Sequence, residues 1–276
     1  MAVHYDFIVV PYRGRDFRLS YFRRPGKSHT VLFLHGLGGS KTDFVPAAAF
    51  PELDNCTLVG IDVPGCGQSN YFDDFSLNLW DVAEIVHQAT IALDLPEFAV
   101  VGQSFNGITG LLLIEKHPDR IRQFINLEGN LTPEDCNILS REVCSYGFEG
   151  REEEYFRHLR HRLTKSRQVT LQTFGEIFRA NVWSPKSWHD YCKSIVDLSD
   201  HKALLDQFVQ LPIPRMFLYG VENRHLSYLP LLRDSTAKVI EVPSSNHFIV
   251  YSNPIFLYKS IAEFLNGNVG RGSDDS

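Results

Sequence analysis

The chain has 276 residues, is 43% hydrophobic and 22% charged, and carries a formal net charge of −6. Those proportions fit a globular protein with a large core, and the acidic balance argues against a nucleic-acid partner, which would need a concentrated basic face. No apolar run is long enough to span a bilayer, so no membrane partner is expected, and Met1–Asp6 lacks the charged-then-apolar pattern of a signal peptide. Five cysteines, an odd number with no CxxC spacing, speak against a disulfide framework or a zinc site. A reducing, cytoplasmic compartment is the expectation.

Along the chain, short apolar runs alternate with longer amphipathic stretches. Val31–Leu34, Leu58–Ile61, Phe98–Val101, Phe124–Leu127 and Met216–Tyr219 read as buried strands. They lack the period-two pattern of a sheet with one wet face, as strands of a parallel sheet covered on both faces do. Between them, Leu79–Leu93 and Ile108–Lys116 read as helices; in the first, Leu79, Val82, Ile85, Val86 and Ala89 recur at helical spacing. Such alternation predicts right-handed crossovers and a doubly wound α/β sheet.

The rhythm breaks after Glu128, and no convincing strand is found from Asn130 to Gln210. Thr132-Pro133-Glu134-Asp135 reads as a helix start. Further helices are predicted over Glu152–Leu163, Leu171–Ala180, Lys186–Ile195 and Lys202–Val209. The basic segment Arg157–Arg167 reads as a solvated helix face. Strand character returns at Ile213, and Val239–Val242 is another strand. Asn253-Pro254 then opens a helix to about Leu265. The predicted division is an α/β core over 1–130 and 211–265, a helical cap over 131–210, and a disordered tail over 266–276 rich in Gly, Ser and Asp.

Four segments carry chemistry. Gly102-Gln103-Ser104-Phe105-Asn106-Gly107 lies between a buried strand and an apolar helix, the setting of a nucleophile elbow. A serine on that turn projects clear of the sheet, and the next N–H, of Phe105, sits at a helix N-terminus suited to an oxyanion. Asn106 stands where the usual pattern has glycine, so the helix is expected slightly further from the strand. After the first predicted strand, His35-Gly36-Leu37-Gly38-Gly39 can turn a backbone N–H, that of Leu37, toward the serine. His35 itself reads as an anchor of the loop. Asp62-Val63-Pro64-Gly65-Cys66-Gly67-Gln68-Ser69 is a tight turn in which Asp62 reads as a fixing side chain. Late in the chain, Asn246-His247-Phe248 follows a strand, and His247 is the candidate general base.

The His35–Gly39 loop, the D-x-P-G-x-G-x-S turn, the G-x-S elbow and the late N-H-F before N-P resemble the α/β-hydrolase superfamily with a cap domain, over about residues 20 to 265. The resemblance implies an eight-stranded, mostly parallel sheet with a helical cap inserted after the sixth strand. It also implies no metal or organic cofactor. Ser104 replaces the aspartate expected in haloalkane dehalogenases and epoxide hydrolases, which disfavours those chemistries. The reaction expected is acyl transfer from a small or medium carboxylic ester, with lactone and thioester as variants, to water. The partner is thus a small-molecule, ester-like substrate. Carbon–carbon bond or amide hydrolysis is one alternative; a ligand receptor with little or no turnover is the other.

The family's acid commonly follows the strand before the last, which here points to Asn223 in Gly220-Val221-Glu222-Asn223, and Asn carries no charge. Some members place it one strand earlier. Glu128, a lone carboxylate ending the apolar run Phe124–Leu127, is then the candidate, with Glu222 as the alternative; Glu128 could instead fix the cap entrance through backbone N–H groups. Aromatics of the insertion, among them Tyr146, Phe148, Phe174, Phe178, Trp183 and Trp188, are candidates for an apolar acyl pocket, with Phe178 and Trp183 named for the substrate.

Overall fold

The computed structural model describes residues 2–146 and 151–267. Phe148 and the tail from 268 onward lie outside the described residues. Eight strands occur in chain order as β1 (His4–Tyr12), β2 (Arg15–Arg24), β3 (Thr30–Leu34), β4 (Thr57–Ile61), β5 (Phe98–Gln103), β6 (Ile121–Leu127), β7 (Arg215–Gly220) and β8 (Lys238–Val242). They form one sheet in the order β1-β2-β4-β3-β5-β6-β7-β8. β1, β2 and β4 pair antiparallel and the rest run parallel, so the sheet is the doubly wound, mostly parallel one expected.

Side chains of successive residues on a strand leave opposite faces of the sheet. Leu32 and Leu34 of β3 join one hydrophobic cluster with α1 (Leu79–Ala92) and α2 (Phe105–Lys116). Val31 and Phe33 join the other, which takes in Leu257, Ile261 and Leu265 of the C-terminal helix. Both faces are therefore covered, which is why the central strands carry apolar residues without alternation.

Between β6 and β7 lie α3 (Ser140–Ser145), α4 (Glu152–Thr164), α5 (Val169–Ala180), α6 (Pro185–His201) and α7 (Leu204–Gln210). After β7 come α8 (Leu229–Arg233), α9 (Ile249–Ser252) and α10 (Pro254–Leu265). On α4, Tyr155, Phe156, Leu159 and Leu163 are buried while Arg157, Arg160 and Arg162 face outward, the amphipathic arrangement of a helix on a surface. The centre of the inserted helices is Trp188, fully buried and packed against Phe156, Phe174, Phe178 and Trp183.

Several elements depart from expectation. The β1–β2 hairpin has no counterpart in the sequence reading. β1 is exposed along most of its length, and its turn, Arg13-Gly14, has both residues at positive φ, as the favoured two-residue hairpin requires. α2 begins at Phe105, three residues before Ile108, and α6 continues to His201. Thr132-Pro133 opens a 3₁₀ turn, Pro133–Asn137, rather than an α-helix.

The inserted helices dock on the Asp62–Ser69 turn. The Gly67 N–H donates to the Val182 carbonyl (2.8 Å), the Ser184 N–H to Gly65 (2.9 Å) and the Tyr191 hydroxyl to Pro64 (2.6 Å). Asp62 fixes that turn from within: its carboxylate accepts from the Lys41 N–H (2.6 Å), Lys41 Nζ (2.8 Å) and the Gln68 N–H (2.9 Å). Among the described residues, no helix is long and apolar enough to cross a membrane.

Candidate active site

Ser104 stands between β5 and α2 at φ 54°, ψ −126°, in the left-handed half of backbone space that non-glycine residues avoid. Holding a residue there costs on the order of 1–3 kcal/mol, offset by the packing around it. The turn closes because Gly102 has no side chain; a Cβ there would lie 2.4 Å from the Asn106 carbonyl oxygen. α2 therefore packs tightly against the strand end, contrary to the wider spacing expected from Asn106. The reason is the direction of that side chain: Asn106 Nδ2 donates 2.6 Å to the His35 carbonyl, bridging the elbow to the glycine-rich loop. Phe105, the first residue of α2, contributes one of the N–H groups that a helix leaves without an intrahelical acceptor.

His35 is fully buried between the two loops. Its Nε2 accepts from the Val63 N–H (3.3 Å) and its Nδ1 donates to the Gly36 carbonyl (2.9 Å). Burial pushes its pKa below the usual histidine range. Those contacts anchor the loop and leave no ring nitrogen for proton transfer. Gly38, at φ 82°, is required next to it, since a Cβ would come within 2.8 Å of Phe174.

His247 lies on the loop between β8 and α9. Its Nε2 is 3.2 Å from Ser104 Oγ, and its Nδ1 is 2.7 Å from Glu128 Oε2. The carboxylate accepts, so Nδ1 carries the hydrogen and Nε2 is left to accept from the serine hydroxyl. Glu128 follows β6 directly and, like Ser104, has a positive φ, of 43°. It is 6% exposed and His247 8%, so the pair sits largely out of water. A buried carboxylate needs several donors. Besides His247, Glu128 accepts from the Gly220 N–H and from Asn223 Nδ2, the latter at 2.6 Å.

Asn223 occupies the slot where the resemblance leads one to look for the acid, and it donates to the carboxylate of Glu128 on the neighbouring strand end. Its amide was the available signal: an asparagine in place of a carboxylate implies a carboxylate elsewhere for it to bond. Glu222 is exposed and accepts from Thr170 Oγ1 (3.2 Å), with no bond to His247 among the described residues.

A cavity of about 30 Å³ opens onto Ser104 and His247. Its apolar wall comes from Leu37, Ile138, Leu139, Phe174, Ile195 and Phe248. Leu37 and Ser104 line the same cavity. Phe178 and Trp183 are not in the wall. Phe178 packs on Trp188 behind it, and Trp183 Nε1 donates 3.0 Å to the Gly39 carbonyl, steadying the glycine-rich loop. Among the described residues, Phe174 is the inserted aromatic that reaches the cavity. Among the described residues no cluster of three or more His, Cys, Asp or Glu side chains is gathered as a metal would need, and the cysteines are unpaired.

Residues 29–254 match the family model of the alpha/beta hydrolase fold. A mouse protein, Serine hydrolase BPHL, is 32% identical over 139 residues, 48% of this chain and 48% of its own length. The chain thus aligns with about half the length of that curated relative. A thermophilic esterase from Thermogutta terrifontis superposes with a TM-score of 0.70 at 16% identity, covering 96% of this chain and 98% of that one. A carboxylesterase structure from the thaumarchaeon Nitrososphaera gargenis gives 0.73 at 14% identity, covering 94% and 98%. At such identities the superpositions speak to fold alone. The family match, the eight-stranded sheet and the strand-end positions of Ser104, Glu128 and His247 agree: the chain belongs to the alpha/beta hydrolase fold family.

Proposed function

We propose that this chain is a serine hydrolase that cleaves small or medium carboxylic esters through Ser104, His247 and Glu128. The observation that carries the reading is the unbroken hydrogen-bonded line from Ser104 Oγ through the His247 ring to Glu128, at 3.2 Å and 2.7 Å. In the first half-reaction His247 Nε2 takes the Ser104 proton as Oγ attacks the ester carbonyl carbon. The carbonyl oxygen becomes an oxyanion, held by the Leu37 and Phe105 N–H groups. The tetrahedral centre collapses, the carbon–oxygen bond to the alcohol breaks, and His247 returns the proton to the departing alkoxide. In the second, water attacks the acyl-serine with His247 as base, and carboxylic acid leaves with Ser104 regenerated. Glu128 holds the imidazole in the reactive tautomer and stabilises the imidazolium.

The helices of 131–210 act in this reading as a cap that selects the acyl group, with Phe174, Leu139 and Ile195 against the substrate. The unpaired cysteines fit a reducing compartment such as the cytoplasm. A receptor without turnover draws its support from Asn106, but that side chain bonds the His35 carbonyl and leaves the elbow closed. The test is hydrolysis of a panel of nitrophenyl esters. The wild type should turn over at least the short members, and Ser104→Ala should lose on the order of 10³-fold or more in kcat. Equal residual turnover in both proteins would reject the reading.

A further inference from the structure

The cavity at Ser104 is small, about 30 Å³. Two larger spaces of about 350 Å³ each lie beside it. One is bounded by Glu134, Asn137, Asn223, His225 and Tyr228 and touches His247. The other is bounded by Glu142, Arg162, Leu163, Lys165 and Leu171. Ile138 is on the wall of all three spaces, and Leu139 is shared by the Ser104 cavity and the second chamber.

Ile138 is also placed to move. It is 36% exposed and, with Leu139, forms the two-residue link between the 3₁₀ turn Pro133–Asn137 and α3. Leu139 has φ −156° and ψ −33°, outside both the helix and strand regions. Both flanks of the link are tied down. Asp135 accepts from the Leu131 N–H (2.8 Å), the Thr132 N–H (2.9 Å) and the Tyr228 hydroxyl (2.9 Å). On the α3 side, Arg141 donates to the carboxylate of Asp200 at the end of α6. A short irregular link between two anchored elements is where a backbone adjustment is absorbed.

We infer that Ile138 is the partition between the Ser104 cavity and the two outer chambers, and that its side chain sets how large a substrate the site admits. The inference rests on Ser104 being the reacting serine. Ile138 is a specificity-determining residue here and takes no part in proton transfer. Being β-branched, it is stiff at χ1, so opening the partition requires the link to shift rather than a simple swing of the side chain. Removing the branched side chain joins the three spaces without that shift; a larger ring fills the opening.

The experiment compares full-length wild type, Ile138→Ala and Ile138→Phe on nitrophenyl esters from two to ten acyl carbons, with far-UV circular dichroism as a folding control. A short-chain and a bulky fluorophosphonate serve as a parallel measure of access. Ile138→Ala should raise the ratio of long-chain to short-chain kcat/KM about tenfold or more, and Ile138→Phe should lower it by a similar factor. Bulky-probe labelling of Ser104 should follow the same order. Folded variants that both leave the ratio and the labelling rates within twofold of wild type would overturn the partition while leaving the serine chemistry intact. Absence of Ser104-dependent turnover and labelling in the wild type would instead overturn the reading beneath it.

Discussion

Replacing Glu128 by glutamine probes the site where its hydrogen bonds are most constrained. The three groups around the carboxylate, the Gly220 N–H, Asn223 Nδ2 and His247 Nδ1, all donate to it. A glutamine keeps the volume but offers one oxygen and one NH₂. With its oxygen kept on the Gly220 N–H, its NH₂ faces Asn223 and His247. Asn223 can flip its amide to accept. The imidazole answers by accepting at Nδ1, which moves its hydrogen to Nε2, where it can no longer accept from Ser104 Oγ. The wrong tautomer and the lost negative charge together should lower kcat by about 10³–10⁴-fold, or roughly 4–5 kcal/mol of barrier. Asn223→Asp in that background returns a carboxylate to a position already 2.6 Å from the Glu128 carboxylate, and should restore at least tenfold. Asn223→Asp alone sets two carboxylates side by side, which raises the pKa of one of them. The assay is steady-state ester hydrolysis, with thermal unfolding to verify the fold. Glu222, exposed and turned to Thr170, should tolerate glutamine within about threefold. A large loss in Glu222→Gln beside a near-wild-type Glu128→Gln would refute the argument.

Two further expectations follow from the loops behind the serine. Asn106→Ala deletes the 2.6 Å bond to the buried His35 carbonyl, a loss of about 1–3 kcal/mol that should appear as a fall of several degrees in the thermal midpoint together with a drop in kcat; an unchanged midpoint would show that the bridge does not tie the loop. Asp43, 7% exposed and bonded to Tyr251 Oη, has its pKa pushed by burial up to about 7. In the unfolded chain it titrates near 4, so between those values the folded state binds the extra proton; its contribution to stability is greatest below about pH 4, falls as pH rises toward 7, and is gone above about 8. Thermal midpoints from pH 4 to 8 should therefore decline less steeply in Asp43→Asn than in the wild type, and parallel curves would contradict the assignment.

How far the fold could be read in advance depended on where its signals lie. The central strands announce themselves because both their faces are dry. The hairpin of β1 and β2 does not, because β1 is an edge strand wet along most of its length and β2 sets arginines beside Phe17, Leu19 and Phe22. Ser104 and His247 were legible from a strand before each and a helix after each. Glu128 was legible because a lone carboxylate ends an apolar strand and so needs a partner. What local pattern could not supply were contacts across long stretches of chain. The amide of Asn223 reaches Glu128 across 95 positions, and that of Asn106 reaches His35 across 71. Composition pointed to aromatics at the cavity, but only three-dimensional packing places Phe174 in the wall and sets Phe178 and Trp183 behind it.

In the proposed reaction the Ser104 hydroxyl is the nucleophile, activated by His247. Treating the intact protein with a small fluorophosphonate and mapping the adduct by mass spectrometry tests it most directly. One adduct is expected, on Ser104, formed far more slowly in His247→Ala and absent in Ser104→Ala. Labelling of a different serine, or labelling of Ser104 at the same rate without His247, would contradict it.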